Sequence, residues 1–184
     1  VLPQGVTTIG DNAFNSCRAL ESINIPDSVT TINDSVFSYC RALTEIELHN
    51  KITTIGESSF MSCSALTEIE IPDSVTTLKK DAFAECTSLV SVTIGGGIEQ
   101  ISESTFYGCA ALETVVFDEE SKLTKIGKHA FSKASSLVSI EIPTGVKTID
   151  ANAFSDCEKL ATVTLCDTIN KVGAHAFTAT AIYS

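Results

Sequence analysis

The sequence predicts a right-handed α/β repeat solenoid of about eight coils of 23 residues, each a short strand plus a short helical turn. Three columns of residues predict it. Phe stands at Phe14, Phe37, Phe60, Phe83, Phe106, Phe131, Phe154 and Phe177, always 23 residues apart except for one step of 25. Three residues after Phe come Cys17, Cys40, Cys63, Cys86, Cys109 and Cys157, with Ala134 and Thr180 in the two remaining coils. Six residues after Phe come Leu20, Leu43, Leu66, Leu89, Leu112, Leu137 and Leu160, and Tyr183 closes that column. One unit of this size cannot cover its own apolar face, so identical units must stack and bury it between them.

Within a coil the strand comes from strict alternation. Ile23-Asn24-Ile25, Ile46-Glu47-Leu48, Ile69-Glu70-Ile71 and Ile140-Glu141-Ile142 place apolar residues on one face and polar residues on the other. Pro26, Pro72 and Pro143 then end the strand, because proline has no N–H for a ladder. A turn leads to an apolar pair such as Val29 and Ile32. The segment from Asp11 to Cys17 follows, with apolar Ala13, Phe14 and Cys17 spaced for one or two helical turns. The first coil thus has about eight inward positions, from Val6 and Ile9 to Ile23 and Ile25. No linker interrupts the array, so residues 1–184 form a single solenoid. Val1 in place of Met, with no leader sequence, reads as a fragment of a longer array.

The pattern VTTIGxxAFxxCxxLxxIxIPxxV resembles the BspA-like leucine-rich repeat family, from Leu2-Pro3 to about Phe177. Ordinary leucine-rich repeats carry Asn or Cys after an LxxLxL core. This chain differs in its Phe column and its Ile-Pro turn. The resemblance implies a cell-surface or secreted protein of bacteria or protozoan parasites. Its implied role is adhesion to host extracellular matrix proteins, host cell-surface proteins or other microbes.

Charge narrows the partners. Twelve basic residues against 23 acidic ones leave a net charge of −11, which disfavours nucleic acid and anionic membranes. No run of about 18 apolar residues exists for direct membrane insertion.

Catalytic and cofactor signals are thin, and no cofactor is expected. Six of the seven cysteines occupy one inward column, where adjacent coils would set Cβ atoms slightly beyond the usual disulfide range. They read as buried free thiols acting as small hydrophobes, and Ala134 in the same column supports that. No close pair of cysteines suits zinc. Cys166 takes the turn position of Pro26 and Pro72, which exposes it: it reads as an ordinary surface cysteine, with a reactive or intermolecular thiol as the alternative. His129 and His175 share a repeat position two coils apart, too far to share a metal, and read as exposed turn residues. Gly95-Gly96-Gly97 lacks the Lys of a phosphate loop, and no GxSxG or Ser-His-Asp set occurs. The glutamates lie on an open sheet face without the apolar pocket that glycosidase acids need, so an enzyme is not expected. Asn33-Asp34-Ser35 fits a glycosylation acceptor, relevant only in a eukaryotic secretory route.

Surface columns remain. Outward strand residues place Glu45, Glu47, Glu68 and Glu70 in a compact square, continued by Ser91, Thr93 and Glu141. This face is the first candidate for binding a protein partner. The irregular turns are the second: His49-Asn50-Lys51, the triple glycine, and the two-residue insertion at Asp118 to Lys122, with Lys125 and Lys128 nearby. The alternative to an adhesion module is a structural spacer array displaying another domain.

Overall fold

The computed structural model describes residues 2–182, and the Tyr183 position of the leucine column lies outside them. The repeats form a β-solenoid whose strands are all parallel and pair in register with the same residues one coil on. One wall consists of two-residue strands that follow the Val/Ile turn. It pairs β1 (Thr31–Ile32), β2 (Thr54–Ile55) and β4 (Thr77–Leu78) in one sheet. It continues with β6 (Gln100–Ile101), β8 (Lys125–Ile126), β10 (Thr148–Ile149) and β12 (Lys171–Val172) in another. A second wall carries the longer strands. Here β3 (Glu68–Ile71), β5 (Ser91–Ile94) and β7 (Thr114–Phe117) form one sheet, and β9 (Ser139–Glu141) pairs with β11 (Thr162–Thr164).

The expected helical turn is absent: no helix occurs among the described residues. The Phe segment closes a third wall instead. Its residues alternate between two bonding patterns. The Phe14 N–H donates to Val36 O in the next coil at 2.9 Å, and Phe37 and Phe60 repeat the bond at 2.8 Å. The intervening Cys17 N–H turns back three residues to Phe14 O at 3.1 Å. Two residues per coil hold positive φ, Asn12 at 60° and Ser16 at 61° in the first, and each such residue reverses the helical sense. Apolar spacing over five residues resembles one turn of helix. It cannot register that the amides bond across coils rather than along the chain.

The expected count of eight coils is also corrected, to about six complete turns. Phe37, Phe60, Phe83, Phe106, Phe131 and Phe154 are fully buried, whereas Phe14 and Phe177 are only half-buried. Each of these two coils has only one complete neighbour among the described residues, so its inward face is partly uncovered here. The first coil also lacks its expected strand. Around Ile23 and Ile46 only a single bridge, Ser22 to Glu45, is formed. The Asn24 side chain stands in for backbone ladder bonds: its Oδ1 accepts the Leu2 N–H at 3.0 Å and its Nδ2 donates to Leu2 O at 3.4 Å.

The core is a set of ladders. Phe rings stack face to face along the whole array with centroids 5.0 to 5.6 Å apart. Each buried thiol donates to the Phe carbonyl of a neighbouring coil: Cys40 to Phe14 at 3.1 Å, Cys63 to Phe37 at 3.2 Å, and likewise Cys86, Cys109 and Cys157. That carbonyl already accepts the backbone N–H of its own turn. The thiol therefore fills a second acceptor site, which Ala134 leaves vacant. All seven cysteines are free, but Cys17 breaks the expectation of a fully buried column. It is exposed because no complete coil before it lies among the described residues.

Candidate functional site

The glutamate square forms as a groove on the second wall. Glu68 and Glu70 point outward from β3, between buried Ile69 and Ile71. Their register partners on β5 are Ser91 and Thr93. Glu45 and Glu47 occupy the same positions one coil earlier and are exposed. Together these six residues line an open groove of about 980 Å³, with Ser22 and Asn24 at one end and His49 and Asn50 at its rim. Glu141 does not join them. It is exposed on β9, beyond β7, and does not line the groove. Past Thr93 the same column runs into Val116, which is 48% exposed, so the face changes from acidic to apolar along its length.

Five acidic groups elsewhere have lysine partners. Lys51 pairs with Asp27 at 2.7 Å, Lys79 with Asp34 at 2.9 Å, Lys80 with Glu57 at 3.1 Å and Lys125 with Asp150 at 2.8 Å. The Lys79 ammonium, together with the Glu57 N–H, holds the Asp34 carboxyl below its usual range. None of the ion pairs among the described residues reaches Glu45, Glu47, Glu68 or Glu70.

The turn edge is less open than its sequence suggests. Gly95, Gly96 and Gly97 are buried, Gly95 and Gly97 against the turn of residues 72–75 and Gly96 against the inserted loop. The Gly96 N–H donates to Asp73 Oδ1 at 2.8 Å, and Gly96 O accepts the Lys122 N–H at 3.2 Å. A side chain at Gly96 would meet Asp118 Oδ1 and Glu120 O at 3.1 Å, so it would push the loop outward by a few tenths of an ångström. Nearby, Lys125 and Lys128 are paired with Asp150 and Glu103. His49 is fixed as one tautomer: Nδ1 accepts the Lys51 N–H at 3.3 Å, which leaves Nε2 to donate to Pro26 O at 3.0 Å. Cys166 is half-buried, with Sγ 3.1 Å from Thr168 Oγ1. His129 differs from the exposed turn residue expected of it, being half-buried against Tyr107, while His175 is exposed. The Asn33 amide of the glycosylation sequon already donates to Ile9 O at 2.7 Å. No group of three or more His, Cys, Asp or Glu suited to a metal ion occurs among the described residues. No helix among them is long and apolar enough to cross a membrane.

A family model, the BspA type leucine rich repeat region, matches six copies over residues 1–110 and 57–183. The chain belongs to the BspA-type leucine-rich repeat family. Its solved relatives are bacterial leucine-rich repeat proteins. One from Bacteroides ovatus is 28% identical with a TM-score of 0.69, covering 97% of this chain and 57% of that one. One from Eubacterium ventriosum is 29% identical with a TM-score of 0.82, covering 89% of this chain and 44% of the other. One from T. pallidum is 26% identical with a TM-score of 0.80, covering 86% of this chain and 76% of the other. The repeat thus spans 57% and 44% of the length of the first two relatives. No curated protein is significantly similar to the chain. BspA-type repeats are protein-interaction or scaffold modules and are generally non-enzymatic.

Two features of this region had no distinct signal in the sequence. The two-residue ladder carries Lys125 and Lys171, both beside Asp150, and its alternation is too short to read as a strand. The Asn24 latch on Leu2 depends on a contact across 22 residues. The one available cue was Asn24 at a position held by Glu47 and Glu70 in the next coils.

Proposed function

We propose that this chain is a non-catalytic adhesion module of a cell-surface or secreted protein, and that its acidic groove binds a basic patch on a protein partner. The supporting observation is the clustering of like charge. Four carboxylates line one groove on a single strand face, and no ion pair among the described residues neutralises them. Like charges at neighbouring strand positions cost the fold a few tenths of a kcal/mol each. A binding face recovers that cost through steered association and rejection of acidic partners. Ser91 and Thr93 extend the groove with neutral hydrogen-bonding groups. Host matrix and host cell-surface proteins are the partner class, and the location follows the family likeness.

The test is a binding screen against a panel of extracellular matrix proteins, followed by the variant Glu45→Gln/Glu47→Gln/Glu68→Gln/Glu70→Gln. Rim-type charge pairs contribute about 0.2–1 kcal/mol each, so losing all four should weaken binding about tenfold and flatten its salt dependence. Unchanged affinity and unchanged salt dependence would move the contact to the turn edge. Failure to bind any member of the panel would favour the spacer.

A further inference from the structure

A second, smaller cavity lies on the turn wall, away from the glutamate groove. It arises where a small residue falls between the two large ones of its column. Ala84 stands between Met61 and Tyr107 at successive repeat positions, and the gap above it is a notch of about 340 Å³. Asp81 and Glu85 supply its charge, and neither takes part in an ion pair among the described residues. The Glu85 carboxylate lies over Gly108, whose φ is +72°. A side chain there would come within 2.8 Å of the Glu85 carboxylate. His129 also lines the notch, its ring edge-on to Tyr107 at 6.4 Å and 88°. Its Nδ1 is buried and has no hydrogen-bond partner among the described residues. The chemistry of the wall already attracts cations: Lys133 Nζ lies 4.9 Å from the Tyr107 ring centroid.

We propose that this notch is a docking site for an arginine side chain of a protein partner. The apolar floor of Met61 and Ala84 accepts the aliphatic stem, and the Tyr107 ring offers a stacking surface. A guanidinium has several donors in a planar fork, which suits two carboxylates better than the point charge of an ammonium. Asp81 supports the choice of a cation. Burial pushes its carboxyl above the usual range, and Glu57 and Glu103 add to that against the opposing Lys80. A bound cation would restore what the carboxylate loses on desolvation. This site stands apart from the strand-face reading and survives its failure.

The test is NMR titration of the full chain with N-acetyl-arginine amide, using N-acetyl-norleucine amide as the uncharged control. Saturable shifts are expected at His129, Tyr107 and Ala84 with the arginine compound, at least tenfold weaker with the control. Asp81→Asn with Glu85→Gln should weaken binding by a similar factor while keeping side-chain size, and Asn suits the positive φ at position 81. Ala84→Met should abolish binding by filling the notch. If Ala84→Met does not fold, the charge pair of substitutions decides alone. Linear, unsaturated shifts, equal response to the control, or binding unchanged by loss of both carboxylates would overturn the proposal.

Discussion

Replacing a Phe in the middle of the ladder should cost far more than replacing one at its end. Phe83 is fully buried, with Phe60 stacked at 5.0 Å on one side and Phe106 at 5.5 Å on the other. A buried Phe→Ala change costs about 3–5 kcal/mol through lost transfer energy and the cavity left behind. Losing two ring partners, each worth about 0.5–1.5 kcal/mol beyond area, places Phe83→Ala near the top of that range. Phe177 is half-buried and stacks on Phe154 alone at 5.3 Å. Its change to Ala should cost roughly 1–2 kcal/mol, since about half the apolar area was never removed from water. Urea unfolding followed by circular dichroism reads both values. With an m-value of about 2 kcal/mol/M, the midpoint should fall by about 2 M for Phe83→Ala and by less than 1 M for Phe177→Ala. Interruption of a one-dimensional stack at its centre should also broaden the transition, as the two halves decouple. Equal losses at the two positions would refute a nearest-neighbour stack with weak ends.

The thiols should divide by coil rather than by column. Cys17 and Cys166 should react with a thiol reagent in the native state, and Cys40, Cys63, Cys86, Cys109 and Cys157 only after unfolding. Native reaction of more than two would contradict the buried ladder. Burial pushes the Cys40 thiol up to about 11 and Cys109 and Cys157 to about 12, and raises Cys63 and Cys86 as well. These raised values contribute fully below the ordinary thiol range and are lost as pH climbs, because the unfolded chain releases its thiol protons first. Stability should therefore fall above about pH 9, by up to roughly 1.4 kcal/mol per pH unit for each buried thiol. Titrating the urea midpoint from pH 8 to 11 checks this, and the slope should shrink when Cys86 is replaced by Ala. Gly96→Ala should push the inserted loop outward, seen as faster proteolysis near Glu119 and Glu120 with little change in global stability. Protease resistance equal to the parent would show that the loop tolerates a side chain beneath it.

The repeat period, the inward columns and the outward position of the four glutamates were all legible in the sequence. Identical residues in a stack see identical neighbours, so Phe60 and Phe83 announce one another through a fixed spacing. The acidic square followed from the same logic, because alternation fixes the face and the period fixes the neighbour. What the sequence misread was local: five residues spaced like a helical turn became a wall of β-turns, since the amides of Phe37 and Phe60 bond to the next coil and Ser35 and Tyr39 hold positive φ. Hydrophobic spacing records which side is buried and carries no record of which carbonyl each N–H reaches. End effects were equally hidden. Cys17 and Cys40 are the same letter at the same repeat position, yet one is exposed and one buried, because burial here belongs to the adjacent coil. The notch around Ala84 also needed the tertiary structure: a small residue makes a cavity only when Met61 and Tyr107 stand on either side of it and His129 closes the wall.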